Sequence, residues 1–195
     1  MARREPDHYS KRARQEGYSA RSVYKLQELQ QRFRILRSGV RVLDVGAAPG
    51  SWTQYMSKLV GPDGHVVAVD LSPLDDLEGI PGVTPIVGDV FSPEVIAAVS
   101  ALGPFAVVVS DAAPKTSGNR VVDTTRSAAL VEQVIDLCDQ LLAPGGNMVA
   151  KVFQGGDEHQ LLQSIRERFA TARLIKPKAS RSESFETFLV GLDKR

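Results

Sequence analysis

Apolar positions along the chain follow two rhythms. Short β-branched runs at 40-VRVLDV-45, 65-HVVAVD-70, 83-VTPIVG-88, 105-FAVVVSD-111, 147-NMVAKVF-153, 172-ARLIKP-177 and 185-FETFLVGL-192 have the length and composition of strands. Helical spacing runs through 51–60, 92–102, 125–142 and 157–170. A further amphipathic helix is expected over 20-ARSVYKLQELQQRFRIL-36, with Val23, Leu26, Leu29 and Phe33 on one face. Gly61-Pro62-Asp63-Gly64 and Pro144-Gly145-Gly146 are turns that end a helix and open a strand. Near-continuous apolar strands alternating with helices require a parallel sheet covered on both faces.

The last two strands break that alternation. Only 178-KASRSES-184 separates them, too short for a crossover helix, so they are expected to pair as an antiparallel hairpin. The fold class expected is α/β: a mostly parallel, doubly wound, Rossmann-like sheet with an antiparallel C-terminal hairpin. That layout resembles the class I methyltransferases.

The first strand runs into 46-GAAPG-50 and then a helix. The dinucleotide fingerprint is G-x-G-x-x-G, whereas here Gly46 and Gly50 are separated by Ala47, Ala48 and Pro49. The glycine that admits a pyrophosphate is missing. Small residues still let the backbone lie against a ligand without a diphosphate, and S-adenosylmethionine is such a ligand. Asp70 ends the second strand, where a carboxylate can accept from ribose hydroxyls. Asp89 follows the third strand, placed for an adenine amino group. Each aspartate alone is equally a turn or cap residue. Their succession at the carboxyl ends of neighbouring strands is what points to a ligand site.

Charge changes the picture at two places. The 195 residues carry a net +1, but residues 1–37 hold ten Lys/Arg against four acids, a surplus of six; the remainder holds fourteen against nineteen. Three of the four tyrosines, Tyr9, Tyr18 and Tyr24, fall in that basic segment. Cations interleaved with aromatics suit a phosphate backbone with bases to stack on, and a solvated terminus would have the same composition. Residues 1–37 are therefore read as a basic helical extension and 38–195 as the main domain. The second place is inside strands. Lys151 sits in 148-MVAKVF-153 and Glu186 in 185-FETFLVG-191, while Asp111 ends an apolar strand. Desolvating an unpaired charge costs several kcal/mol, so such residues are paired, either as a structural ion pair or as a reactive cluster at the carboxyl edge of the sheet.

The remaining composition excludes more than it proposes. No apolar run approaches the roughly 20 residues of a membrane span, and the N-terminus lacks the apolar core of a secretory signal. The single cysteine, Cys138, fits a reducing compartment and a buried structural thiol. His8, His65 and His159 are scattered, so no metal site is expected.

Five stretches, 17-GYSARSVYKLQEL-29, 43-LDVGAAPGSWTQY-55, 107-VVVSDAAPKTSG-118, 142-LAPGGNMVAKVFQG-155 and 176-KPKASRSESFETFLVG-191, together resemble the FtsJ-type ribosomal RNA 2′-O-ribose methyltransferases. They span nearly the whole chain in that family's order. The resemblance implies a catalytic tetrad of Lys25, Asp111, Lys151 and Glu186. It implies a donor site for S-adenosylmethionine at Gly46, Gly50, Trp52, Asp70, Asp89 and Asp111. The acceptor it implies is a uridine ribose in 23S-type RNA of the large ribosomal subunit. A monomer in the cytoplasm, with neither metal nor membrane as partner, is expected. Departures from the family pattern are Ser51 after Gly50 and Phe188 where an aromatic, often Tyr, is common. Lys115, Arg120 and Arg126, in and after the loop that follows Asp111, either extend an RNA-binding surface or are solvated. Two rival classes stand beside this reading. A nicotinamide-dependent oxidoreductase is opposed by the missing glycine and the terminal hairpin. A non-catalytic ribosome-assembly module would favour a lost tetrad member, and none is lost. Within the enzyme class, transfer RNA or messenger RNA caps are the alternative acceptors.

Overall fold

The computed structural model describes residues 7–181 and 184–195. Arg3 and Arg4 of the basic segment, and Ser182 and Glu183 of the link between the last two strands, lie outside them. Seven strands form one sheet: β1 (Arg41–Val45), β2 (His65–Asp70), β3 (Val83–Val87), β4 (Phe105–Ser110), β5 (Leu142–Phe153), β6 (Phe169–Ile175) and β7 (Glu186–Lys194). Their spatial order is β3-β2-β1-β4-β5-β7-β6. The pairs from β3 across to β5 are parallel. β7 runs antiparallel between β5 and β6, as the short link between the last two strands requires. This is the expected doubly wound α/β class. β5 starts earlier than its apolar core because Leu142 already pairs with Phe105, and the register then shifts before Val107 meets Asn147.

Six helices surround the sheet: α1 (His8–Gln15), α2 (Val23–Phe33), α3 (Ser51–Val60), α4 (Pro93–Ser100), α5 (Arg120–Leu141) and α6 (Glu158–Arg168). Successive strand residues feed opposite faces. Phe105, Val108, Met148, Ala150 and Val152 join α4, α5 and α6 in one core. Val107, Val109, Val149, Phe188 and Val190 join α2 and α3 in the other. Parity alone therefore sends Lys151 towards the face of Val149, and Glu186 towards that of Phe188 and Val190. Both meet the face that α2 covers.

One helix, α1, has no expected counterpart, and another, α5, starts five residues earlier than expected. α1 is set by Asp7, whose side chain accepts from Ser10 N, and not by an apolar stripe. α5 begins at Arg120 because the Asn119 side chain accepts from the amides of Val121 and Val122. Its first turn shows no amphipathic signal, since Val121 and Val122 point outward. The N-terminal segment is built into the molecule through α2: Leu26 and Leu29 are fully buried beside Met56 and Phe188. No described helix is long and apolar enough to cross a membrane.

Candidate active site

Strands β1, β2, β3 and β4 end around one cavity of about 320 Å³, lined by Gly46, Ala48, Asp70, Leu71, Gly88, Asp89, Phe91, Asp111 and Ala112 among others. Its floor is the turn from β1 to α3. Gly46 has φ +75°, and a Cβ there would stand 2.6 Å from that of Ala112, so the two loops approach as only glycine allows. Gly50 has φ +103° and presses against Leu77. Asp70 braces the turn: one carboxylate oxygen accepts from Ala48 N at 2.9 Å, the other from Ser72 N at 2.7 Å. Asp89 is exposed and accepts from Phe91 N at 3.0 Å with one oxygen, leaving the other towards solvent. Beside Asp70, Leu71 lies 75% exposed, an apolar surface at the cavity mouth. Small backbone-lined floor, apolar wall and two carboxylates fit a nucleoside-containing ligand such as S-adenosylmethionine.

Gly46, Asp70, Asp89 and Asp111 thus line a single cavity. Gly50 and Trp52 do not. Trp52 is 2% exposed; its Nε1 donates to Ser22 O at 2.9 Å and its ring leans on Phe188 at 5.8 Å. Its side chain ties α3 to the start of α2.

At the β4 corner of the cavity, Asp111 joins the charged cluster. Lys151 Nζ donates to Asp111 O at 2.5 Å and stands 3.1 Å from Oδ1. That second contact is an ion pair without hydrogen-bond alignment, so Oδ1 keeps an open lone pair although buried. Glu186 Oε1 lies 3.9 Å from Lys151, and Glu186 Oε2 accepts from Lys25 Nζ at 2.6 Å. All four members of the expected tetrad meet in one chain of contacts, Asp111–Lys151–Glu186–Lys25. Lys25 and Lys151 are each 8% exposed, a depth at which lysines require partners. Burial by itself would push the Glu186 carboxyl up, but Lys25 and Lys151 outweigh it and hold Glu186 below the ordinary range. Glu186 is therefore a carboxylate at neutral pH.

Two neighbours are not singled out from the sequence. Ser184 Oγ donates to Glu186 Oε2 at 3.0 Å, the same oxygen that Lys25 holds. Asp44, fully buried in β1, accepts from Thr53 Oγ1 at 2.6 Å with one oxygen and has no partner for the other. Its signal was available: an acid within 40-VRVLDV-45 is as misplaced as Lys151 in its own strand. Ser184 gives no such signal. Among the described residues no cluster of His, Cys, Asp and Glu could hold a metal ion.

Known proteins match this chain along nearly its whole length. Two curated relatives are ribosomal RNA large subunit methyltransferases E. That of Treponema denticola is 48% identical over 189 residues, covering 97% of this chain and 95% of the relative. That of Syntrophobacter fumaroxidans is 49% identical over 191 residues, covering 97% and 96%. Among solved structures, a protein described as a ribosomal RNA methyltransferase of Plasmodium falciparum superposes with TM-score 0.77 at 24% identity, covering 91% of this chain and 98% of that one. Aeropyrum pernix fibrillarin, solved with natively bound S-adenosyl-L-methionine, gives TM-score 0.65 at 17% identity, covering 88% and 76%. At those identities the likeness is one of fold. The FtsJ-like methyltransferase family model matches residues 18–194, and the chain belongs to that family.

Proposed function

We propose that this protein transfers a methyl group from S-adenosylmethionine to the 2′-hydroxyl of a uridine ribose in large-subunit ribosomal RNA, with the assembled subunit as acceptor. The observation that carries the reading is the contact chain Asp111–Lys151–Glu186–Lys25 at the corner of a cavity suited to the donor. The names of the full-length relatives supply the large-subunit acceptor. The protein acts as a monomer in the cytoplasm. Residues 38–195 form the methyltransferase domain, and residues 1–37 are the extension that carries Lys25 and faces RNA.

The donor is held by the backbone of Gly46, Gly50 and Trp52, with Asp70 and Asp89 on its hydroxyl and amino groups and Asp111 at its charged end. When bound it supplies a methyl group already activated for displacement, so alignment dominates the rate. Lys151 is assigned the acceptor hydroxyl, because its Nζ alone contacts both Asp111 and Glu186. It orients the ribose oxygen and, after giving one ammonium proton to solvent, takes up the hydroxyl proton as that oxygen bonds the methyl carbon and the carbon–sulfur bond breaks to release S-adenosylhomocysteine. Asp111 and Glu186 stabilise the charge Lys151 then carries. Lys25 keeps Glu186 ionised and in place.

Lys151→Ala is expected to abolish methyl transfer from labelled donor to unmethylated large subunits while leaving donor binding intact. Full activity in that variant would remove Lys151 from the mechanism. Label on transfer RNA alone, with none on subunits or free ribosomal RNA, would keep the chemistry and replace the acceptor.

A further inference from the structure

Beyond the tetrad, three loops meet at the carboxyl edge of the sheet on the β5–β7 side: the loop after β4, the loop after β5, and the chain entering β7. Arg120 stands at their junction. Its guanidinium lies over the Phe185 ring, 5.7 Å from the centroid, and Phe185 stands edge-on to Phe153 at 4.7 Å. Arg120 Nη2 donates to Gln154 O at 3.3 Å. A Cβ on Gly155 would come within 3.2 Å of that same nitrogen, and Gly155 has φ +105°, so a side chain there would be strained and would crowd the guanidinium. The backbone beneath is fixed as well. Asp123 accepts from Ser117 N and Oγ and from Gly118 N, and Asn119 caps the helix that Arg120 begins.

An exposed arginine gripped by a ring, a carbonyl and a glycine is already oriented, and one hydrogen bond uses only one of its five donors. Its grips are next door to the reaction. Phe185 precedes Glu186 in the chain, and Phe153 lies two residues beyond Lys151 on the same strand. The anions nearest a ribose 2′-oxygen are the phosphates of its own nucleotide. Gln154 follows β5 and Phe185 precedes β7, the strands that carry Lys151 and Glu186, whereas the donor cavity lies at the ends of β1 to β4. Val121, 74% exposed, and Val122 lie beside it as an apolar shelf of the kind a base face covers.

We propose that Arg120, held by Phe185, Gln154 and Gly155, is a clamp for a phosphate of the acceptor RNA strand adjoining the methylated ribose. The inference rests on the RNA 2′-O-methyltransferase reading. A bidentate guanidinium–phosphate contact fixes orientation as well as charge. Its loss should therefore appear in the acceptor's KM and not in donor affinity.

The test measures methyl transfer to unmethylated large ribosomal subunits across a KCl series. Wild type, Arg120→Ala, Arg120→Lys, Phe185→Ala and Arg126→Ala are compared, with donor binding measured separately. Arg126, exposed further along α5, reports the general field of a nearby cation. Arg120→Ala should raise KM for subunits about tenfold, with donor affinity within about twofold. The slope of log affinity against log salt should fall by roughly one. Arg120→Lys should recover the slope but only part of the KM, and Phe185→Ala should lose KM while keeping the slope. Equal KM and slope in wild type and Arg120→Ala would overturn the clamp, as would equal losses in Arg120→Ala and Arg126→Ala. Failure of the wild type to methylate any RNA would instead overturn the parent reading.

Discussion

At the scale of single residues, Asp44 shows how the site is supported from beneath. It is a carboxyl in the centre of a strand, with one oxygen on Thr53 and the other without a partner. Burial pushes it up to about 7; the Thr53 hydrogen bond opposes this, and the charges of Asp111 and Asp70 add to it. In the unfolded chain the same group titrates near 4. The folded state thus binds the proton more tightly than the unfolded state between these values. Stability is full below the unfolded value, declines as pH rises towards the folded value, and levels off above it. The decline should be on the order of 4 kcal/mol, since one unit is about 1.4 kcal/mol. Asp44→Asn keeps an acceptor for Thr53 and removes the charge. We expect it to unfold at a higher temperature than wild type at pH 8, and to lack the wild type's decline between about pH 4 and 7. Denaturation followed across that range checks this, and parallel curves for the two proteins would refute it.

At the scale of elements, α5 shows how a helix start positions chemistry. Asn119 accepts from Val121 N at 3.1 Å and Val122 N at 3.4 Å, and these bonds fix the first turn that carries Arg120. Removing such a cap typically costs about 1 kcal/mol. Asn119→Ala should lower global stability by about that amount. Amide hydrogen exchange at Val121 and Val122 should quicken, while that at Val131–Cys138 should not. Unchanged exchange in the first turn would show that Asp123 alone fixes it. The same helix marks where the sequence stops being legible. Its buried positions, Val131, Val134, Ile135 and Cys138, announce themselves by period. Its first turn does not, because Val121 and Val122 are apolar residues facing water. The strands were legible for the opposite reason. The central strands β1, β2, β4 and β5 are largely buried on both faces, as is most of β7, and the same burial makes Lys151 and Glu186 conspicuous within them. Lys25 is otherwise: a helix lysine carries no signal of its own, and its depth comes from α2 lying on Phe188. The side chain of Trp52 was legible as apolar, but its packing between α2 and β7 depends on tertiary contacts that spacing does not encode.

At the scale of the whole molecule, the strand order divides the labour. β3, β2, β1 and β4 end at the cavity proposed for the donor, whereas β5 and β7 carry Lys151 and Glu186. Only Asp111, at the end of β4, belongs to both. Donor binding and acceptor chemistry should therefore separate in mutants of either half. A ligand that binds only the folded state at a hundred times its Kd stabilises it by about 2.7 kcal/mol. For a domain of this size each kcal/mol raises the melting temperature by roughly 2–4 °C. Saturating S-adenosylmethionine should accordingly raise the melting temperature of wild type and of Lys151→Ala by the same several degrees. Asp89→Ala, a change at an exposed carboxylate, should leave the unliganded melting temperature near that of wild type and shrink the shift. A full shift in Asp89→Ala would remove that residue from the donor site. Loss of the shift in Lys151→Ala would mean that the two halves are coupled through Asp111, because Lys151 grips both its carbonyl and its carboxylate. The division by strand order would then fail at its one shared residue.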